Sequence, residues 1–297
     1  MLCSSSASFR RSTIEDLQWS RSDVDAIIFV SQYADYILPA TSCIIQDRMK
    51  FDKECYAIDI PLGCSGWVYG LSMACSLAQG GLRVLLMCGD AKRRVEIDDP
   101  LFGYAGTVTA LEFCEGHEGF KFHFGTDGSG YDAIIIPDGG SRNQITRRSF
   151  DIETIDGKQY NRLQTRMKGM DVFAFGISTA PKSVKKLAEH FGVDYQATDY
   201  FVFHQANMKM NNMIAKKLKL DEAKVPSSLY HFGNTSSASI PLTIVTELKG
   251  KCQTPTKFIC CGFGVGLSWG TVAFVAEDML ISDLVEVEDP KEESPWA

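Results

Sequence analysis

Residues 57–78 read Ala-Ile-Asp-Ile-Pro-Leu-Gly-Cys-Ser-Gly-Trp-Val-Tyr-Gly-Leu-Ser-Met-Ala-Cys-Ser-Leu-Ala. A short apolar run at 57–60 gives way through Pro61 and Gly63 to Val68, Leu71, Ala74, Cys75 and Ala78, which recur at helical spacing. The pattern predicts a strand, a tight turn and a helix, with Cys64 on the turn. There the unpaired amides of the first helical turn and the positive end of the helix dipole favour a thiolate, the nucleophilic form of cysteine. Such a turn also holds the sulfur clear of the packed layer, as the nucleophile elbow does for serine. A small buried thiol without chemistry is the competing reading for any of the ten cysteines. The flanking glycines and the helix start set Cys64 apart.

Upstream, Ala26-Ile-Ile-Phe-Val30 predicts a strand and Cys43-Ile-Ile-Gln-Asp-Arg-Met49 a helix. Downstream, Gly80-Gly81 ends the Cys64 helix, and Arg83-Val-Leu-Leu-Met-Cys88 predicts a buried strand closed by Gly89-Asp90. Strands alternating with helices imply a mostly parallel sheet with both faces covered. Thr107-Val-Thr-Ala-Leu-Glu-Phe113 predicts a further strand. The glycines at 125–130 and 137–140 lack phosphate-cradle spacing and are expected to be turns. Residues 171–191 predict an amphipathic helix with a break at Pro181.

A second alternation begins at Asp199 and echoes the first. Asp199-Tyr-Phe-Val-Phe-His-Gln205 parallels Asp25-Ala-Ile-Ile-Phe-Val-Ser-Gln32, and Gly233-Asn234 parallels Gly63-Cys64 at a constant offset of 170. Lys257-Phe-Ile-Cys-Cys261 with Gly262 likewise follows the pattern of Val84 to Gly89. A duplicated α/β unit places Cys64 and Asn234 at equivalent turns about a pseudo-two-fold axis, so that two helix starts face one pocket. The expected organisation is an N-terminal half over 1–169, a C-terminal half over 170–276 and an acidic tail over 277–297.

Composition narrows the class. With 297 residues, 45% hydrophobic and 23% charged, the chain suits a globular protein with a large core. A net charge of −7 argues against a nucleic-acid binder. No stretch approaches the roughly 18 uninterrupted apolar residues of a membrane span, and the Ser-rich start lacks a signal-peptide core. No membrane association is therefore expected, and a cytoplasmic location with reduced thiols is. No Cys-x-x-Cys pair occurs and the five histidines are scattered, so neither a metal nor a resident cofactor is expected. The tail carries eight acids and one lysine and is expected to be solvated.

Three polar residues fall at strand ends in this scheme: Cys64, His204 and Asn234. A thiolate attacks a carbonyl and neutral donors stabilise the resulting oxyanion, so the set suits acyl transfer through a thioester. A cysteine protease uses the same residue types in the same order. Its Cys-Gly-Ser-Cys-Trp signature is absent, and the duplicated alternation does not suit it.

Gly63-Cys-Ser-Gly66 with Val68-Tyr-Gly-Leu71, His204-Gln-Ala-Asn207, Gly233-Asn-Thr-Ser-Ser-Ala-Ser239 and Phe263-Gly-Val-Gly-Leu-Ser-Trp-Gly270 together resemble the β-ketoacyl-ACP synthase III family. The resemblance runs from about Asp23 to Val275. It implies a thiolase-like fold of two pseudo-repeated α/β halves in αβαβα layers. It also implies acylation of Cys64 from a coenzyme A or carrier-protein thioester, then decarboxylating Claisen condensation with a malonyl carrier protein. In that scheme His204 and Asn234 hold the donor carbonyl, and the backbone amides of Cys64 and Val265 form an oxyanion hole. Phe173 and Asn207 would meet the pantetheine arm or tunnel mouth, Lys209, Lys216 and Lys217 an acidic acyl carrier protein. Ile37 and Leu38 would close the acyl tunnel across a homodimer interface.

Departures from the family pattern set further expectations. The family's opening strand and helix, with an arginine that grips coenzyme A, have no counterpart here, which should leave an unpaired sheet edge or a gap in the first half. Residues 91–106 are short, and Tyr104 follows Phe102-Gly103 where the family has an acidic residue. A non-catalytic relative, or an acyltransferase that passes the acyl group to an oxygen or nitrogen nucleophile, are the alternatives.

Overall fold

A computed structural model describes residues 13–90, 102–155, 157–252 and 254–287. The Ser-rich opening, most of the shortened loop and the end of the acidic tail lie outside these residues. A helical turn at 13–16 (α1) precedes β1 (Ala26–Val30), α2 (Thr41–Met49), β2 (Tyr56–Ile60), α3 (Gly66–Gln79), β3 (Val84–Asp90) and β4 (Ala105–Leu111). β1 runs parallel to β2 and to β3, and β4 returns antiparallel to β3. Every residue of β1 is buried, as expected of a strand with neighbours on both sides and helices on both faces. Its alternation divides the load. Ile27 and Phe29 pack with Ile45 and Met49 of α2, whereas Ala26, Ile28 and Val30 face the interior.

The second sheet repeats the plan with a different outer strand. β5 (Lys121–Thr126) comes first in the chain. Two short hairpins, β6 (Ile134–Ile135) with β9 (Arg166–Met167) and β7 (Glu153–Ile155) with β8 (Lys158–Tyr160), fill the connection. Then come α4 (Gly169–Phe191), β10 (Tyr200–Phe203), α5 (Met208–Leu218), α6 (Leu229–Phe232), α7 (Ser239–Leu248), β11 (Thr256–Gly264) and β12 (Ser268–Ala276). The strand order is β10-β11-β12-β5, against β2-β1-β3-β4 in the first sheet. One core cluster joins both sheets through α3 and α7, with Val68, Leu71, Ile240 and Ile244 between Leu86 on one side and Val202 and Cys260 on the other. A second cluster packs α4 and α5 on the far face of β10 and β11. The layers therefore read αβαβα, as the repeat predicts.

Two sequence expectations change. β5 was expected to be a turn from Gly125 onward, yet it pairs antiparallel with β12 along its length. Pro181 does not break α4, which runs unbroken from Gly169 to Phe191 with the proline buried inside it. A proline cannot donate to the carbonyl four residues earlier, here Ile177. Lys217 Nζ of α5 donates to the Ile177 oxygen instead, at 2.9 Å.

The expected open edge is present among the described residues. β4 pairs only with β3, whereas the matching strand β12 carries β5 on its outer side. A cavity of about 720 Å³ runs along β4, lined by Trp67, Leu71, Pro241, Phe274 and Leu284 among others. Residues 277–285 line it, although 283–287 are exposed. Met279 and Ile281 pack on the core, Ser282 Oγ donates to Asp16 Oδ2 at 2.7 Å, and Lys249 pairs with Asp283. Among the described residues no helix is long and apolar enough to cross a membrane, and no group of metal-ligating side chains occurs.

Candidate active site

β2 ends at Ile60 and α3 begins at Gly66, which leaves Cys64 on the turn between them, 8% exposed. The turn is tight because Gly66 N–H donates to the Gly63 carbonyl at 2.6 Å. A Cβ at Gly66 would come within 2.5 Å of Val30 Cγ1, so the helix start can approach β1 only with glycine there. Ser65 Oγ reaches across the pseudo-axis to Ser268 Oγ at 2.7 Å, and Ser268 Oγ donates to the Val265 carbonyl at 2.6 Å. This fixes the β11–β12 turn beside the thiol.

His204 follows β10 and is 1% exposed. Its backbone N–H continues the ladder to the Cys261 carbonyl at 2.9 Å, and its ring meets Phe263 edge-on at 5.6 Å. Nδ1 lies 2.8 Å from Ser239 Oγ, which also accepts from Gln205 N–H at 3.3 Å. A Ser239 hydrogen directed at Nδ1 would leave the imidazole proton on Nε2. Burial pushes the imidazole down to about 3, against a hydrogen bond to the Ser236 backbone, so the ring is neutral at ordinary pH.

Asn234 sits just beyond α6, after Gly233 at φ 63°. It is 5% exposed, and its carbonyl accepts from Gly103 N–H at 3.0 Å. Its Oδ1 accepts from Ser236 N–H at 2.9 Å, which turns Nδ2 into the end of the amide available to a ligand. The helix on this side starts later than the repeat predicts, at Ser239 after a 3₁₀ turn over Ser236–Ala238.

Ser236 brings the three together. Its N–H donates to Asn234 Oδ1 at 2.9 Å, its hydroxyl pulls the Cys64 thiol down and its backbone pulls the His204 imidazole up. It holds φ 52°, a left-handed conformation that costs a non-glycine residue about 1 kcal/mol or more. Burial pushes the Cys64 thiol up to about 11, with the Asp90 carboxylate the next contribution and the Val265 and Cys64 amides and the Ser236 hydroxyl pulling it down. Cys64 at neutral pH is thus a thiol. The thiolate expected from the helix start is outweighed by desolvation.

The Val265 backbone is among the groups that pull the Cys64 thiol down. The geometry therefore couples one nucleophile, two neutral donors and backbone amides in a buried space, a set suited to carbonyl chemistry without metal-ligand spacing. The profile described as "3-Oxoacyl-[acyl-carrier-protein (ACP)] synthase III C terminal" matches residues 188–275, which include His204 and Asn234. A β-ketoacyl-[acyl-carrier-protein] synthase III of Clostridioides difficile is 31% identical over 270 residues, covering 86% of this chain and 78% of that one. The chain belongs to the β-ketoacyl-[acyl-carrier-protein] synthase III family. A synthase III of Fusobacterium nucleatum is 31% identical over 87% of this chain and 79% of its own length. The crystal structure of a 3-oxoacyl-(acyl-carrier protein) synthase from Burkholderia xenovorans LB400 superposes with TM-score 0.86 at 38% identity, over 96% of this chain and 82% of that one. The thiolase-like fold expected of synthase III is thereby shown.

The outlying positions carried over from synthase III find local roles as well. Asn207 is the N-cap of α5, its Oδ1 accepting from Met210 N–H at 2.9 Å. Phe173 packs on the α4–α5 cluster, with Lys209 Nζ 5.7 Å from its ring centre. Lys216 is exposed, while Lys217 caps the carbonyl freed by Pro181. Ile37 and Leu38 are 96% and 83% exposed. The large cavity along β4 does not include Cys64, His204 or Asn234. Sequence reading passed over Ser239 and Asp90, whose signals are a serine one helical start after the Asn234 turn and an acid closing an apolar strand.

Proposed function

We propose that the chain catalyses acyl transfer to Cys64 followed by decarboxylating condensation with a malonyl carrier protein. The convergence of Cys64, His204 and Asn234 on Ser236 carries this reading. In the first step Cys64 sulfur attacks the carbonyl of an acyl-coenzyme A or acyl-carrier thioester. The carbon–sulfur bond to the incoming carrier breaks, and its leaving thiolate takes the Cys64 proton. The amides of Cys64 and Val265 stabilise the oxyanion.

In the second step the malonyl carbon–carboxylate bond breaks and carbon dioxide leaves. The electron pair collects on the thioester oxygen as an enolate, between His204 Nε2–H and Asn234 Nδ2–H. A neutral imidazole suits this role, since it donates a hydrogen bond without fixing a proton on the enolate. The enolate carbon attacks the acyl carbonyl, a carbon–carbon bond forms, and Cys64 leaves and regains a proton. The product is a 3-oxoacyl carrier thioester.

The acidic partner would meet exposed Lys209 and Lys216, with Phe173 and the free end of Asn207 beside the entrance. The bare apolar tip at Ile37 and Leu38 suits a homodimer in which a second copy covers it. Intact-protein mass spectrometry after incubation with acyl-coenzyme A thioesters of increasing length tests the first step. An adduct of acyl mass that is lost in Cys64→Ala is expected. A folded wild-type protein that gains no adduct from coenzyme A or carrier-protein thioesters would sink the assignment.

A further inference from the structure

Asp90 closes β3 and is 8% exposed. Its Oδ1 accepts from Ser31 Oγ and from Gln32 N–H, each at 2.8 Å, and its Oδ2 accepts from Ser237 Oγ at 3.4 Å. These partners come from two places, the end of β1 and the turn that follows Asn234. Gln32, whose amide Asp90 fixes, sends its own Nε2 to Ser236 Oγ at 3.4 Å. Ser237 Oγ also reaches the Val30 carbonyl at 3.4 Å.

All three partners are neutral. A carboxylate taken out of water and met only by neutral donors costs more to bury than the hydroxyl or apolar group that strand packing would accept. The return is geometric. Three donors from two separate chain segments converge on one rigid acceptor, and such a network holds its members in a single arrangement. The member under strain is Ser236, at φ 52°, and it is the residue on which the thiol, the imidazole and the amide converge.

We propose that Asp90 is a positioning residue for the condensation step, clamping the turn over residues 234–237 so that Asn234 and His204 hold the donor carbonyl opposite Cys64. This rests on the roles given above to Cys64, His204 and Asn234. The same carboxylate opposes the first step. Its charge disfavours the Cys64 thiolate, and Cys64 and Cys88 are the titratable groups that feel it among the described residues. The two half-reactions are therefore expected to respond to Asp90 in opposite directions, which a residue serving stability alone would not produce.

Asp90→Ala and Asp90→Asn are compared with the wild-type full chain by two readouts. Cys64 acylation is followed by intact mass across pH, and condensation by 3-oxoacyl product formation from malonyl carrier protein. In Asp90→Ala, condensation is expected to fall about 100-fold, the scale of losing a preplaced oxyanion donor. Acylation at neutral pH is expected to rise, by up to about threefold, as its pH profile moves to lower pH. Asp90→Asn keeps an oxygen acceptor for Ser31 and Gln32, so it is expected to recover most of the condensation while sharing the shifted profile. If Asp90→Ala does not fold, Asp90→Asn decides alone, through the shifted profile together with condensation near the wild-type rate. Equal loss of both steps without rescue by asparagine, or no loss in either variant, would overturn the proposal while a fully active wild type left the assignment of Cys64 standing. A wild type that forms no adduct would instead remove that assignment and this proposal with it.

Discussion

Asp90 at the end of β3 and Gly264 at the end of β11 occupy matching places, each pairing with the first residue of the strand that returns antiparallel, Ala105 and Ser268 respectively. Each faces the helix-start turn of the opposite half. A Cβ on Gly264 would lie 2.5 Å from Cys64 Cβ and 2.8 Å from its Sγ, so this strand end is stripped to make room for the Cys64 thiol. Asp90 does the reverse and extends a side chain to grip the Asn234 turn. Duplication supplied two equivalent corners, and the chemistry divided them. One corner needs free volume around a sulfur, the other needs a fixed direction for an amide.

The largest test of that contrast is Gly264→Ala. The clash is with the nucleophile itself and the neighbouring layers are closely packed, so Cys64 acylation is expected to fall by more than about 100-fold. Acylation near the wild-type rate, read by intact mass, would mean that the corner has slack. A second test uses pH. The Cys64 thiol stands at about 11 and His204 at about 3. The thiolate fraction, and with it acylation, is expected to rise about tenfold per pH unit through the neutral range, with no inflection near 6.5. An inflection there would show an imidazole titrating in the folded site and would break the neutral-donor role. The linkage has a matching sign. The lowered His204 value contributes stability above about 6.5 that is lost as pH falls toward 3, and the raised Cys64 value contributes stability below 9 that is lost as pH rises through about 11.

The outer helices of the two halves sharpen the comparison at lower energy. α2 starts on Ala40 with no side-chain cap of its own, and Asp59 of β2 supplies one by accepting from Thr41 N–H at 2.7 Å and Ser42 N–H at 2.8 Å. Asp59→Ala is expected to cost about 1–2 kcal/mol in denaturant unfolding, as other lost caps do. In α4 the unmet group is internal, and Lys217 serves it. Lys217→Met is expected to cost about 0.5–1 kcal/mol, and much less in a Pro181→Ala background, where the helix regains its own donor. Equal costs in both backgrounds would show that the lysine is not filling the gap left by proline.

Much of this was legible in the sequence because the signals are local. β1 was read to the residue, and the run from Pro61 through Gly63 to Val68 placed Cys64 on a strand-to-helix turn. His204 and Asn234 came from the echo of that pattern. β5 was hidden because it is an edge strand of mixed polarity whose partner, β12, lies some 140 residues away in sequence, and its glycine resembled a turn. Pro181 misled because the compensating donor belongs to another helix. Asp90 gave only the signal of an acid after an apolar run, and its meaning depends on serines from distant segments. Asn207 carries a second meaning. A residue assigned to substrate by motif also has a local duty as a helix cap, which its position after a strand and before an amphipathic run could have shown.

The packing of the cysteines decides what an electrophile would meet. Cys43 and Cys114 are exposed, while Cys75 and Cys261 are driven by burial to about 12 and Cys64 to about 11. A general alkylating reagent at neutral pH therefore marks Cys43 and Cys114 before Cys64. A reagent shaped like the substrate, carried into the buried site by its own acyl chain, reverses that order. Selectivity for Cys64 lies in recognition rather than in intrinsic thiol acidity, so small reactive probes will under-report the one cysteine on which the chemistry turns.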